Sequence, residues 1–238
     1  MSALPLLRVE NLRRSQSLPA GPAPHTLGRG GAQVSFSIEE GEHVALVGER
    51  GSGKTALLRA VARLEKPQAG QVYFEGRDIT RAGGGQLRAL RQRLQFVGGD
   101  PMRTLPPHYT VEQTLLEPLR IHHRGSAAEQ RERAAAMAAR LGLNSLLLSR
   151  KVSVLSAAMR QRVALARALI LQPRLLLCDE LTERLEPAAA RPLLETVARA
   201  CRASHARIAW LWTTSDEALA RAFADRVLRF ENGQLVTD

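Results

Sequence analysis

Apolar and polar residues alternate over residues 9–12 and 34–38, in LLRVENL and QVSFSIEEGE, as they do in strands with one buried face. Between them, residues 15–31 are rich in proline, glycine and serine and predict a loop. The next run, His43-Val-Ala-Leu-Val-Gly48, is apolar without alternation. Glycines follow it, and then KTALLRAVARL with helical spacing, so the prediction is strand, glycine loop, helix. Residues 71–74 and 94–97 predict two more strands, and 98–108 a loop. Helical spacing covers 111–119 and 127–141, the second rich in strong helix formers. A helix over 156–171 begins on a serine suited to cap it. Residues 174–178 predict a fully buried strand, 187–201 a helix, 208–212 a strand and 216–224 a helix. A hairpin over 227–230 and 235–236 turns at Glu231-Asn232-Gly233. Strands alternating with helices predict an α/β fold with a mostly parallel sheet.

Composition narrows this. A chain of 238 residues and 26.1 kDa, 45% hydrophobic and 24% charged, suits one large α/β domain or two small ones. The longest apolar stretch, around 163–178, is broken by Arg167, Pro173 and Arg174, so no run reaches the roughly 18–20 residues of a membrane span. Residues 1–11 lack an export signal, and the cytoplasm is the expected location. Two cysteines, Cys178 and Cys201, are too few for a disulfide framework or a zinc site and read as packing residues. The net charge of +11 comes from 31 arginines and three lysines against 23 acidic residues. These arginines are dispersed and aromatics make up only 4%, so nucleic acid is not expected as a partner.

The chemistry lies in Gly48-Glu49-Arg50-Gly51-Ser52-Gly53-Lys54-Thr55, a full G-x-x-x-x-G-K-[ST] phosphate loop between a buried strand and a helix. Its glycines let the backbone curl so that N–H groups face the β- and γ-phosphates, and the helix N-terminus adds partial positive charge. Lys54 reaches phosphate oxygens, and the Thr55 hydroxyl ligates Mg²⁺. Such a site needs a further carboxylate for magnesium and a group to polarise water. Asp179 and Glu180, at the end of the run Arg174-Leu-Leu-Leu-Cys-Asp-Glu, are assigned these roles.

With these motifs the chain resembles the ATP-binding subunit of ABC transporters over nearly its whole length. The phosphate loop, LSAAMRQRVALARAL, LLLCDELTERLEP and the terminal DRVLRFENGQLV occur in that family's order. The stretch QFVGGDPMRTLPPHYTVEQTLLEPLRIH is similar to the peptide/nickel importer branch. The resemblance implies a P-loop NTPase fold with a mostly parallel sheet, an antiparallel β part and a helical subdomain over about 100–165, within a single nucleotide-binding domain spanning 1–238. It implies ATP and Mg²⁺ as cofactors and Glu180 as the catalytic carboxylate. The implied partners are a second ATP-binding subunit in a homo- or heterodimer, two membrane permeases and an extracytoplasmic solute-binding protein. Residence at the cytoplasmic face of the inner membrane follows, with uptake of peptides or nickel-type solutes as the function.

The family's motifs are not all intact. Gly99 replaces the glutamine that follows the central strand, and the LSGGQ signature, which faces the partner's ATP, reads Leu155-Ser156-Ala157-Ala158-Met159. Ser215 stands at the switch histidine, Glu186 at an aspartate and Leu181 at a proline, and an adenine-stacking aromatic near Ser15 is missing. If either signature glycine needs a left-handed backbone, alanine there costs about 1–2 kcal/mol. Nucleotide binding is expected to persist, while the alternative to a working ATPase is a subunit that binds ATP with impaired hydrolysis. His122 and His123 read as surface residues, and Trp210 and Trp212, of one strand parity, as packing residues.

Overall fold

The computed structural model describes residues 4–13, 33–204, 207–231 and 233–236. The whole predicted 15–31 loop, and with it the Ser15 position, lies outside them. Among the described residues, β1 (Leu7–Arg13), β2 (Val34–Ile38), β4 (Ala69–Phe74) and β5 (Arg77–Asp78) form an antiparallel sheet in the order β2-β1-β4-β5. A second sheet runs β10-β9-β3-β8-β7-β6, from β3 (His43–Val47), β6 (Leu94–Val97), β7 (Leu175–Cys178), β8 (Ala209–Thr214), β9 (Arg226–Glu231) and β10 (Gln234–Val236). Every pairing in it is parallel except that of β9 with β10. The predicted α/β class with an added antiparallel part is what the chain adopts.

The unbroken apolar runs are strands covered on both faces. Every residue of β3, β7 and β8 is buried, and the two-residue period divides them between two cores. Val44, Leu46, Leu175, Leu177 and Leu211 face one core, which also receives α1 (Lys54–Val61) and the four-stranded sheet. Ala45, Val47, Leu176, Cys178, Trp210 and Trp212 face the other, built with α3 (Val111–Ile121), α4 (Ala127–Arg140), α5 (Ala157–Leu169) and α6 (Pro187–Arg202). Helices α3, α4 and α5 all lie between β6 and β7. The starts of α3 and α4 are fixed by reciprocal capping boxes, Thr110 with Gln113 and Ser126 with Glu129. Helix α7 (Glu217–Phe223) follows β8, with Asp216 as its N-cap.

Sequence patterning misses α2 (Gly84–Arg93), β5 and a 3₁₀ turn over Pro101–Arg103. Helix α2 opens on glycines and buries only Leu90, so it has no apolar stripe to detect. No helix among the described residues is long and apolar enough to cross a membrane.

The second core has a polar element. His43 is fully buried on β3, and neither ring nitrogen has a hydrogen-bond partner among the described residues. Its ring meets Trp210 edge-on at 5.5 Å, and Trp210 stacks on Trp212 at 5.2 Å. Burial, reinforced by the Arg202 charge and opposed by Asp225, pushes the His43 pKa down from 6.5 to about 4. Between those two values the unfolded chain takes up a proton that the folded chain refuses. Stability therefore falls as pH drops through this window and is unaffected by His43 above it. Urea unfolding should show a His43-dependent loss of about 2 kcal/mol between about pH 7 and pH 5. His43→Leu should remove that increment, and an identical pH dependence in both proteins would refute the assignment.

Candidate active site

The phosphate-loop residues lie where β3 ends and α1 begins. Gly48 cannot carry a side chain, because a Cβ there would sit 2.1 Å from the Phe230 carbonyl oxygen. Gly51 and Gly53 take left-handed backbone angles, φ 80° and 105°. Gly53 is the N-cap of α1, and no side chain caps that helix, which leaves its first-turn N–H groups available to an anion. Lys54 is 2% exposed and donates to the carbonyls of Gly48 and Glu49, each at 2.7 Å. The Ser52 hydroxyl is buried and has no hydrogen-bond partner among the described residues. A loop with an uncapped helix start, an inward-held ammonium and an orphaned hydroxyl fits a polyphosphate.

Strand β7 delivers the acidic pair to the same place. Asp179 Oδ1 accepts from Thr55 Oγ1 at 3.0 Å and from Thr213 Oγ1 at 2.9 Å, and Thr213 Oγ1 in turn accepts from the Glu180 N–H at 2.9 Å. Burial raises the Asp179 pKa, against the pull of those two hydroxyls and of Arg59 and Lys54. Glu180 has φ 50°, a conformation that costs a non-glycine residue on the order of 1–2 kcal/mol. Its Oε1 lies 3.9 Å from Lys54 Nζ. Burial raises its pKa to about 7, helped by Glu183 and Asp179 and opposed by Lys54. Among the described residues no three His, Cys, Asp or Glu side chains could hold a metal together. A cation held by Thr55 and Asp179 would therefore draw its other ligands from bound phosphate or water.

Two hollows border these groups. One of about 180 Å³ is lined by Gly51, Gly53, Lys54, Thr55, Arg59 and Glu180, and one of about 430 Å³ by Arg50, Gly51, Thr55, Glu180, Glu183 and Arg184. A further hollow of about 430 Å³ lies at the opposite end of β7, where Arg174 pairs with Glu40 and Arg93 with Glu75. Glu183 and Thr213 are functional candidates that sequence reasoning missed. Glu183 is ion-paired with Arg50 of the phosphate loop and lies beside Glu180. Arg184 reaches Asp100 at 3.2 Å, tying the segment after β7 to the segment after β6.

The departures from the family pattern fall at distinct places. Ser156 is the N-cap of α5, where it accepts from the Met159 N–H at 3.3 Å. Ala157 and Ala158 form the first turn of that helix with no positive φ, so the conditional cost of alanine does not arise. Ser215 is exposed just beyond β8, Leu181 is buried, and Glu186 is the N-cap of α6 without a side-chain bond. Gly99 is more than a lost side chain. A Cβ there would approach the Glu180 carbonyl oxygen to 2.8 Å and that of Asp179 to 3.0 Å.

The sequence pattern of the ABC transporter family matches residues 32–183. The chain belongs to that family. It is 34% identical over 234 residues to the glutathione import ATP-binding protein GsiA of Shigella dysenteriae, a match covering 98% of this chain and 37% of that protein. It is 41% identical over 147 residues to a putative peptide import ATP-binding protein of Brucella ovis, covering 62% of this chain and 46% of the relative. The chain thus spans between about a third and a half of the curated relatives it matches. Among solved structures, the ATP-binding cassette MJ0796, a dimer bound to ADP and Pi, superposes with a TM-score of 0.81 at 25% identity, covering 97% of each chain. The structure of cbiO1 from Clostridium perfringens, part of the ABC transporter complex cbiONQ, shares the fold at the same TM-score and 23% identity, covering 98% of this chain and 87% of that one.

In this ABC cassette, the close approach at residue 99 makes a direct prediction. Restoring the family's residue with Gly99→Gln should destabilise the fold by about 1–3 kcal/mol, because the obstacles are backbone oxygens. Gly98→Ala, whose Cβ would meet only Phe96 at 3.7 Å, is the matched control. Equal urea midpoints for both variants would show that the segment moves aside freely.

Proposed function

We propose that this chain is the ATP-binding subunit of an ABC importer, coupling ATP binding and hydrolysis to uptake of peptides or nickel-type solutes through membrane partners. The observation that carries it is the Thr55–Asp179 contact beside a buried Lys54, at the carboxyl ends of β3 and β7 on either side of β8, with Lys54 and Thr55 lining a hollow. Membership of the ABC transporter family supports the activity, and the names of the glutathione and peptide import relatives favour peptides as cargo. Residues 48–55 hold the triphosphate, with Lys54 exchanging its loop carbonyls for phosphate oxygens. Thr55 and Asp179 hold Mg²⁺, which when bound offsets charge on the phosphates. Thr213 orients Asp179 and fixes the Glu180 backbone.

Glu180 takes a proton from the attacking water and therefore acts in its ionised form. The partners in this reading are a second cassette, two permeases and a solute-binding protein outside the membrane. Ser156, Ala157, Ala158 and Met159 face the second cassette's ATP, and Ser215 and Gly99 border this chain's own site. The whole chain serves as one nucleotide-binding domain, with residues of about 100–165 as its helical subdomain, peripheral to the membrane on the cytoplasmic side.

Mg-ATP should raise the melting temperature of the purified chain, and Lys54→Ala should abolish that shift. Glu180→Gln should keep the shift but lower phosphate release about 10²–10³-fold, alone or with permeases. A shift that survives Lys54→Ala would sink the reading of the site, and turnover indifferent to Glu180→Gln would sink the role of that carboxylate.

A further inference from the structure

Positive charge gathers where α2 meets the C-terminal end of α3, and the nearest carboxylates are engaged elsewhere: Glu117, one turn before Arg120, pairs with Arg167, and Glu129 accepts from the Ser126 N–H. Helix α2 meets the C-terminal end of α3 through two contacts: Arg88 Nη2 donates to the Ile121 carbonyl at 3.0 Å, and Arg124 Nη2 donates to Gln92 Oε1 at 2.6 Å. Arg88, Arg120, Arg124 and His123 are exposed, and among the described residues none of them, nor His122, forms an ion pair. By contrast, Arg167, Arg184 and Arg226 elsewhere on the surface are paired with carboxylates. The His122 Nδ1 is buried without a partner, and the ring's pKa is lowered by burial and then by Arg88, Arg124 and His123. The end of α3 carries a partial negative charge of about half a unit, too small to offset three guanidinium groups. Ile121 is 47% exposed between Arg120 and Arg124, and it is the only large apolar residue exposed on α2 or at this end of α3.

We infer that this basic end is a docking surface for acidic phospholipid headgroups, with the arginines on lipid phosphates and Ile121 entering the interface. Arginine forks match phosphate oxygens, and each basic side chain close to an anionic membrane adds to the attraction. One apolar side chain among cations suits a bilayer surface. A protein partner would need an apolar centre, which a single isoleucine does not supply. The surface would orient the subunit on the membrane apart from any permease contact. This deepens the peripheral-membrane reading above and rests on it.

The test uses the full chain and sedimentation with vesicles of phosphatidylcholine containing about 30% phosphatidylglycerol, a composition in the range of strongly anionic membranes. Arg120→Glu with Arg124→Glu leaves the Arg88 bond to α3 in place. Arg131→Glu with Arg133→Glu, two exposed positions on α4, lowers the formal net charge from +11 by the same amount. The first pair should weaken vesicle binding at least about tenfold and the second less than about twofold. Ile121→Ser should weaken it further without any change of charge. No binding to anionic vesicles, equal losses from both pairs, or displacement by millimolar inorganic phosphate would overturn the proposal, the last by pointing to a free-anion site. Lys54→Ala should lose its nucleotide response while keeping vesicle binding, so failure here is distinguishable from failure of the ATP reading.

Discussion

One carboxylate oxygen organises the catalytic end of this cassette. Asp179 Oδ1 accepts hydroxyls from Thr55 on α1 and Thr213 on β8, so a single acceptor joins the helix after the phosphate loop to two central strands. Such a bond is worth more than a neutral one whenever the acceptor is ionised, and this acceptor is buried. The same constraint reaches Glu180, whose N–H is bound by the Thr213 hydroxyl and whose backbone is held left-handed. Strain at that residue persists because strand pairing and hydroxyl contacts fix the backbone on either side of it.

The packing around this end explains how altered motifs coexist with an unaltered fold. Of the departures among the described residues, Leu181 adds an apolar side chain to the second core, and the others lie outside both cores. Gly99 illustrates the coupling. Without a side chain at that position, the chain after β6 lies directly against the carbonyls of Asp179 and Glu180. The Arg184–Asp100 pair and the Gln161 contact to the Gly98 carbonyl at 3.5 Å hold the same segment from other sides. The absence of a side chain at residue 99 is thus part of a close local packing.

Most of the fold was legible because parallel strands covered on both faces leave unbroken apolar runs, as in β3 and β7. Helices α3 and α4 were legible by their apolar spacing, and α5 also by the serine that caps it. The glycine loop stood out by its spacing and the acidic pair by its place at the end of an apolar run, and the structure brings the two together through Thr55 and Asp179. Helix α2 was not legible, since one buried leucine makes no stripe. Thr213 was not, because a threonine in a β-rich strand looks like any other until β7 is placed beside it; a hydroxyl at the carboxyl end of the strand neighbouring an acidic pair is the signal to seek. Glu183 had no motif to mark it, and only the fold brings it to Arg50. The strict helix start at Ser156 also shows why substituting both signature glycines leaves the backbone unstrained.

The stacked indoles of β8 carry a practical consequence. Trp210 and Trp212 are the only two tryptophans in the chain, and the residue after them is the threonine that binds Asp179. All indole emission therefore originates in one strand, buried away from quenchers in the solvent, whose next residue donates to the carboxylate beside the phosphate loop. A change in the Thr213–Asp179 contact would act one residue from this chromophore pair, which makes intrinsic fluorescence a natural probe of that contact without an attached label.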